Sequence, residues 1–292
     1  MFENGRWIGP ILDQHIHLDR NNRFLEAIRE FANSGGTGIN LVHKPNFSRL
    51  PESLSEYRDA YEETLQMAKE IRNQFTISVS VILGPHPVAW EHQIHTIGLE
   101  KSTTLHLEAI KLALEYISKG DAVCLGEVGR PHYPVDENIW EASNLLLLEI
   151  MKLAAKAEVS IQLHVEDNGE KTYSDLAKLC DIATLPRHLA IRHYAPADIS
   201  EEFTHGLSAT ISVGKGSIQK IVETLSKSNS YWGMETDFLD DPNRPGAVLG
   251  PKTIAKRTHQ LSKELMNKGY SEDDVCKILN NIHSNWPNIL YS

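Results

Sequence analysis

Apolar positions along the chain follow two periods in alternation. Short runs rich in β-branched and aliphatic residues, at 38–43, 76–83, 122–125, 159–164, 188–193, 209–213 and 231–236, read as strands. Ile11 to Asp19 makes one more ahead of them. Between the strands the spacing changes to that of helices. Phe24, Leu25, Ile28 and Phe31 mark one over 21–33, and Tyr57, Tyr61, Leu65, Ala68 and Ile71 mark a long one after Pro51. Further helices are predicted near 103–118, 137–157, 172–180, 196–204, 217–226, 251–267 and 272–282, whereas 88–102 reads as a looser segment. Eight strands, each followed by helix, require parallel pairing with helical crossovers. That pattern closes into an α/β fold of the (β/α)8 TIM-barrel type.

The length of 292 residues suits one such barrel, and no repeat or linker divides 1–292 into further domains. A hydrophobic fraction of 41% excludes a disordered chain. The net charge of −10 argues against a surface for duplex nucleic acid, because phosphate neutralisation by Lys and Arg dominates that affinity. It does not exclude a small phosphorylated substrate: two divalent cations add four positive charges, bringing the total to about −6 and reversing the field in the cleft. Cys124, Cys180 and Cys276 are odd in number and far apart, which fits reduced thiols. Neither an apolar leader nor a run of about 18 apolar residues is present, so a cytoplasmic location without membrane contact is expected.

The chemistry gathers at strand ends. His15 and His17, two apart on the first strand, share one face and aim two imidazoles at one point. His86 follows the third strand and Glu127 the fourth, His164 and His193 end the fifth and sixth, and Asp237 follows the eighth. The carboxyl ends of barrel strands carry the catalytic residues in this architecture. Six N and O donors, His15, His17, Glu127, His164, His193 and Asp237, are too many for one tetrahedral zinc and suit two metals, with Glu127 shared between them. Zinc, manganese and magnesium all accept such donors.

Around this set, His86, Arg130, Lys44 and Lys215 are candidate substrate contacts. His86 either orients substrate or caps a strand. Arg130 either clamps an anion or forms an ion pair. The turn-rich stretch from Asp240 to Pro251 is a candidate lid beside Asp237, with a rigid surface loop as the alternative.

His15-Ile-His17, Gly84-Pro-His86-Pro87, Gly126-Glu127-Val-Gly129, the His164 and His193 strand ends and Glu235-Thr-Asp237 together resemble the TatD-related metal-dependent hydrolases. The resemblance implies a TIM barrel with two divalent ions that hydrolyses phosphoester bonds, often as a deoxyribonuclease. It implies that His15, His17 and Asp237 hold one ion, that His164 and His193 hold the other, and that Glu127 touches both. Where that family continues Gly-Glu-x-Gly with Leu-Asp, this chain has Arg130-Pro131. Where a basic residue is usual after the fifth-strand histidine, it has Val165-Glu166.

The expected activity is therefore hydrolysis of a small phosphoester, or of the end of a single-stranded nucleic acid, by a metal-bridging hydroxide. Glu127 and Asp237 are the expected catalytic carboxylates, with Asp237 as general base. A lactonase, amidase or esterase with the same cage is the alternative, and a metal-binding protein without turnover is a third reading.

Overall fold

Parallel strands buried on both faces must be covered by helices on one side and filled by side chains on the other. In a computed structural model, which describes residues 1–241 and 249–291, this is the arrangement found. The strands are β1 (Leu12–His17), β2 (Gly38–Val42), β3 (Ser78–Leu83), β4 (Cys124–Gly129), β5 (Ile161–His164), β6 (Ala190–Ala195), β7 (Ser208–Ser212), β8 (Trp232–Glu235) and the short β9 (Phe238–Leu239). Successive strands from β1 to β8 pair in parallel.

β9 follows β8 after only Thr236 and Asp237, and it pairs in parallel with Ile16 and His17 of β1, so the two edges of the sheet join. A buried carboxylate completes the seam. Asp13 accepts from the Thr236 N–H at 3.0 Å and from the Thr236 hydroxyl at 2.6 Å, while the Asp237 N–H donates to the His15 carbonyl at 3.1 Å.

The helices are α1 (Leu25–Asn33), α2 (Leu54–Gln74), α3 (Pro87–Ile97), α4 (Leu99–Ser118), α5 (Glu137–Ala157), α6 (Glu170–Ala183), α7 (Glu201–Thr204), α8 (Ser217–Thr224), α9 (Thr253–Asn267), α10 (Glu272–Asn280) and α11 (Trp286–Leu290). Their apolar faces cover the outward residues of the strands, such as Ile16, Leu41, Val81, Leu83 and Leu163, in the main core. The opposite faces contribute Val42, Ile82, Cys124 and Ile191, which pack with Leu290 and Tyr291 in a second, smaller cluster inside the barrel. Among the described residues no helix is long and apolar enough to cross a membrane.

Three elements depart from the sequence pattern. The segment expected to be loose, 88–102, is helical: the His86 side chain accepts the Val88 N–H at 3.1 Å and Pro87 opens α3, whose apolar Val88, Ala89 and Trp90 are buried. Gly98, at φ 84, then turns the chain into α4. The helix expected over 196–204 is reduced to the single turn of α7. Residues 1–7 add an antiparallel hairpin of Phe2–Glu3 and Arg6–Trp7. Of the expected lid, residues 242–248 lie outside the described residues.

The register shifts by a residue at three places, between Asp13 and Ile16, between Leu125 and Val128, and between Arg192 and Ala195. Each irregularity brackets one of His15, Glu127 and His193. Such bulges re-aim a side chain that strict alternation would place elsewhere.

His283, between α10 and α11, accepts the Leu12 N–H at 3.1 Å and contacts the Thr258 hydroxyl at 3.0 Å, tying the last helices to β1. Burial pushes it down to about 3. The folded protein holds His283 neutral, while the unfolded chain protonates it near 6.5. Its contribution is therefore complete above that pH and is lost progressively as pH falls toward 3. Urea midpoints are expected to drop between about pH 7 and pH 5, and to drop less in His283→Asn. Equal slopes in the two proteins would show that this histidine does not carry the effect.

Candidate metal centre

At the mouth of the barrel the side chains of β1, β4, β5 and β6 and of the β8–β9 junction point at one another. The Nε2 atoms of His15 and His17 stand 3.1 Å apart. Asp237 Oδ1 lies 3.8 and 3.7 Å from them, and the Glu127 carboxylate oxygens lie 3.4 Å from His15 Nε2 and 3.6 Å from His17 Nε2. Glu127 Oε1, the oxygen nearest His15, is also 2.7 Å from His193 Nε2 and 3.2 Å from His164 Nδ1, which are themselves 2.9 Å apart. All six donors expected from the sequence thus meet at one place, with Glu127 between the two groups.

The remaining ring nitrogens decide what these donors present. His17 Nδ1 faces the Val42 carbonyl at 3.1 Å, an atom that only accepts, so Nδ1 carries the hydrogen and Nε2 is left with its lone pair. His15 Nδ1 faces Gln162 Oε1 at 2.9 Å with the same result. His193 Nδ1 lies 3.4 Å from the fully buried Glu235 carboxylate, which also accepts the Tyr194 N–H at 2.7 Å. Two lone pairs 3.1 Å apart, both beside carboxylates, repel unless a proton or a cation lies between them. The donor set therefore fits divalent metal, with His15 and His17 each oriented by an acceptor behind it. His15, His17 and Asp237 make one group of suitable geometry, and others combine His15 with His193 and Glu235, and His86 with Glu127 and His164.

Electrostatics tell the same story. Burial pushes the Asp237 carboxyl up to about 7, with Glu127 and Glu235 adding to the rise against the pull of His15 and His193. Burial opposes charge on Glu127 too, but the imidazoles of His193, His86 and His15 hold it well below the usual carboxylate range. Burial, helped by the neighbouring His15 and His193 rings and opposed by Glu127, lowers His17 to about 3. For His193 burial is outweighed by Glu127 and Glu235, and it is raised well above its ordinary value.

His86 behaves differently from the six. Its Nδ1 accepts the Val88 N–H, so the neutral ring carries hydrogen on Nε2, 3.5 Å from Glu127 Oε2. It caps α3 and at the same time directs a donor at the shared carboxylate.

A cavity of about 910 Å³ opens over this group, and His17, Lys44, His86, Glu127, His164, His193 and Asp237 are among its walls. Lys44 reaches it but is paired with Asp19 at 2.8 Å. Arg130 and Lys215 are not among the lining residues. Arg130 is buried, bonded to Glu166 at 2.7 and 2.5 Å and to Asn144 at 2.7 Å, and stacked on Trp140 at 4.6 Å. Lys215 is exposed. Phe47 and Tyr194, 45% and 53% exposed, stand on the cavity wall, Tyr194 in the left-handed region at φ 48.

Sequence reasoning missed Gln162 and did not single out Glu235 as a support. Gln162 had a signal: it shares the inward face of β5 with His164, between the apolar Ile161 and Leu163. His132, flanking the mouth, places Nδ1 2.6 Å from His164 Nε2. Gly129 also supports the site, because at φ 153 a Cβ there would stand 1.9 Å from the His164 carbonyl oxygen.

A family model described as TatD related DNase matches residues 12–286. An uncharacterised protein of Methanocaldococcus jannaschii is 29% identical over 275 residues, with 92% of each chain covered. Among solved structures, a TatD homologue from Escherichia coli K12 superimposes with a TM-score of 0.63 at 21% identity, covering 98% of this chain and 99% of its own. A TatD family hydrolase from Entamoeba histolytica gives 0.61 at 14% identity, covering 97% and 98%. Both share the fold.

Arg130 and Glu166 make a test of the site's frame. Removing one partner of a buried pair leaves an uncompensated charge, so Arg130→Met is expected to lose about 3–5 kcal/mol of stability. Arg130→Met with Glu166→Leu is expected to recover most of it in urea unfolding. A single variant as stable as the wild type would remove the pair from the frame.

Proposed function

This chain belongs to the TatD-related DNase family, and on that premise we propose that it is a binuclear metal-dependent hydrolase acting on phosphate esters. The observation that carries the reading is the position of Glu127, whose Oε1 lies 3.4 Å from His15, 3.2 Å from His164 and 2.7 Å from His193 and whose Oε2 lies 3.6 Å from His17, so that one carboxylate meets both histidine pairs. Of the expected donors, His15, His17 and Asp237 would hold one ion and His164 and His193 the other, with Glu127 available to both. When bound, the ions supply a hydroxide near neutral pH and a charge that polarises the phosphoryl oxygen.

The protein's own groups supply the rest. Asp237, whose side chain is 20% exposed at the open side of the cluster, is the carboxylate that would take the proton of the attacking water and return it to the leaving group. His86 holds Glu127 in place through its Nε2–H. Phe47 and Tyr194 offer planar faces at the cavity wall to an aromatic or base-bearing substrate. A small phosphoester, or the end of a single strand, is the substrate on this reading.

A second reading is favoured by one observation. Lys44, Arg130 and Arg192 are each already engaged by a carboxylate, Asp19, Glu166 and Asp167 respectively. An uncharged carbon ester such as a lactone needs none of them. The two readings are separated by hydrolysis assays on metal-reconstituted protein with a bis-aryl phosphodiester, single-stranded DNA and a lactone panel. Phosphodiester or DNA cleavage that falls on the order of 10²-fold or more in Glu127→Ala is expected. Lactone turnover alone would transfer the protein to carbon-ester hydrolysis.

Asp237→Asn, checked for metal content, is expected to lose about 10²- to 10⁴-fold in kcat, the usual worth of a positioned base. Full metal with full turnover in that variant would remove Asp237 from proton transfer.

A further inference from the structure

Below the metal-facing histidines a chain of buried polar groups crosses the barrel interior, in a layer otherwise filled by the small apolar cluster around Tyr291. Gln162 is its centre. Its Oε1 lies 2.9 Å from His15 Nδ1, and its Nε2 donates to the Gln14 carbonyl at 3.0 Å and to the Tyr291 hydroxyl at 3.1 Å. The Tyr291 hydroxyl in turn donates to Gln14 Oε1 at 3.4 Å, and Gln14 Nε2 donates to the Ile282 carbonyl at 2.8 Å. Gln162 and Gln14 are 0% and 1% exposed, so no water competes for these groups.

An isolated glutamine amide has two nearly equivalent orientations, but this one has no choice. The Gln14 carbonyl can only accept, so the NH₂ end must face it and the oxygen must face His15. An acceptor at His15 Nδ1 puts the ring hydrogen there and leaves the lone pair on Nε2, the atom turned toward His17, Glu127 and Asp237. A flipped amide would set two acceptors against each other at Gln14 and offer His15 a donor, moving the hydrogen to the wrong nitrogen. We propose that Gln162, anchored by Tyr291 and Gln14, is the positioning residue that selects the tautomer of His15 and thereby its competence as a metal ligand. The inference rests on the reading of His15 as a ligand. It assigns Tyr291, which follows α11, an indirect part in the site from the opposite end of the barrel.

Partners behind a metal-bound histidine are typically worth 10- to 100-fold in metal affinity. Zinc competition against a chromophoric chelator should therefore show a loss of about that size for one ion in Gln162→Met, and a smaller loss in Tyr291→Phe. A merely structural role predicts the same loss, so the deciding variant is Gln162→Glu. It keeps an acceptor at His15 but sets a second oxygen against the Gln14 carbonyl. Its urea stability should fall while its zinc affinity stays at or above that of the wild type. Affinity lost in Gln162→Glu as in Gln162→Met, or unchanged in Gln162→Met, would overturn the proposal.

Nitrogen NMR of the His15 ring in metal-free protein, at a pH where it is neutral, gives a readout that needs no metal. The hydrogen is expected on Nδ1 in the wild type and in Gln162→Glu, and as a mixture of the Nδ1 and Nε2 tautomers in Gln162→Met. A hydrogen on Nε2 in the wild type would refute the assignment. A wild type that binds no zinc yet shows the Nδ1 form would instead refute the metal reading alone.

Discussion

One buried carboxylate sets the terms for the rest of the molecule. Glu127 is 4% exposed and ionised, so its charge must be answered within a few ångströms. The answer comes from His15 and His17 on β1, His164 on β5 and His193 on β6, strands that reach one point only because the sheet is rolled up. A flat sheet of the same strands would leave the carboxylate buried with its β3 and β5 neighbours alone. The cage and the barrel thus depend on each other. Closure at the Asp13–Thr236 seam brings Asp237 beside β1, and the cage needs Asp237 there.

Around this centre the protein devotes several buried polar groups to fixing orientation. Val42 O stands behind His17, Gln162 behind His15 and Glu235 behind His193. The first two accept the hydrogen on Nδ1 and leave Nε2 to the centre, whereas the Glu235 carboxylate faces His193 Nδ1 at 3.4 Å as a charge partner. Register shifts at His15, Glu127 and His193 place these rings where strict alternation would not. The strain of Tyr194 at φ 48, next to His193, belongs to the same local bend and leaves its ring exposed at the cavity.

The shell outside the metals bears on what the site acts upon. In this chain the cation lies on the β4 side, at Arg130, and the anion on the β5 side, at Glu166, and the two satisfy each other under the rim. Neither is left to hold a substrate. On the proposed reading, positive charge for an anionic substrate would come from bound divalent ions. The open wall carries Phe47, Tyr194 and His132 beside the charged groups.

What the sequence determined by itself is the architecture and the list of donors. Strand and helix periods are set by local covalent geometry, and histidines two apart on a strand share a face wherever the strand is put. Their positions at strand ends follow from the same counting. The structure left those donors converged, and family membership agrees with the motifs that first suggested it. Tertiary packing decided what depends on partners distant in the chain. His86 became both a helix cap and a donor to Glu127, and a segment that looked loose became α3 because that cap and the burial of Trp90 favoured it. Arg130, free to be a clamp or an ion pair on paper, was taken by Glu166, 36 residues away. Gln162 gained its meaning only from Gln14 and Tyr291. An amide has no preferred direction until an acceptor on one side and a ring nitrogen on the other give it one.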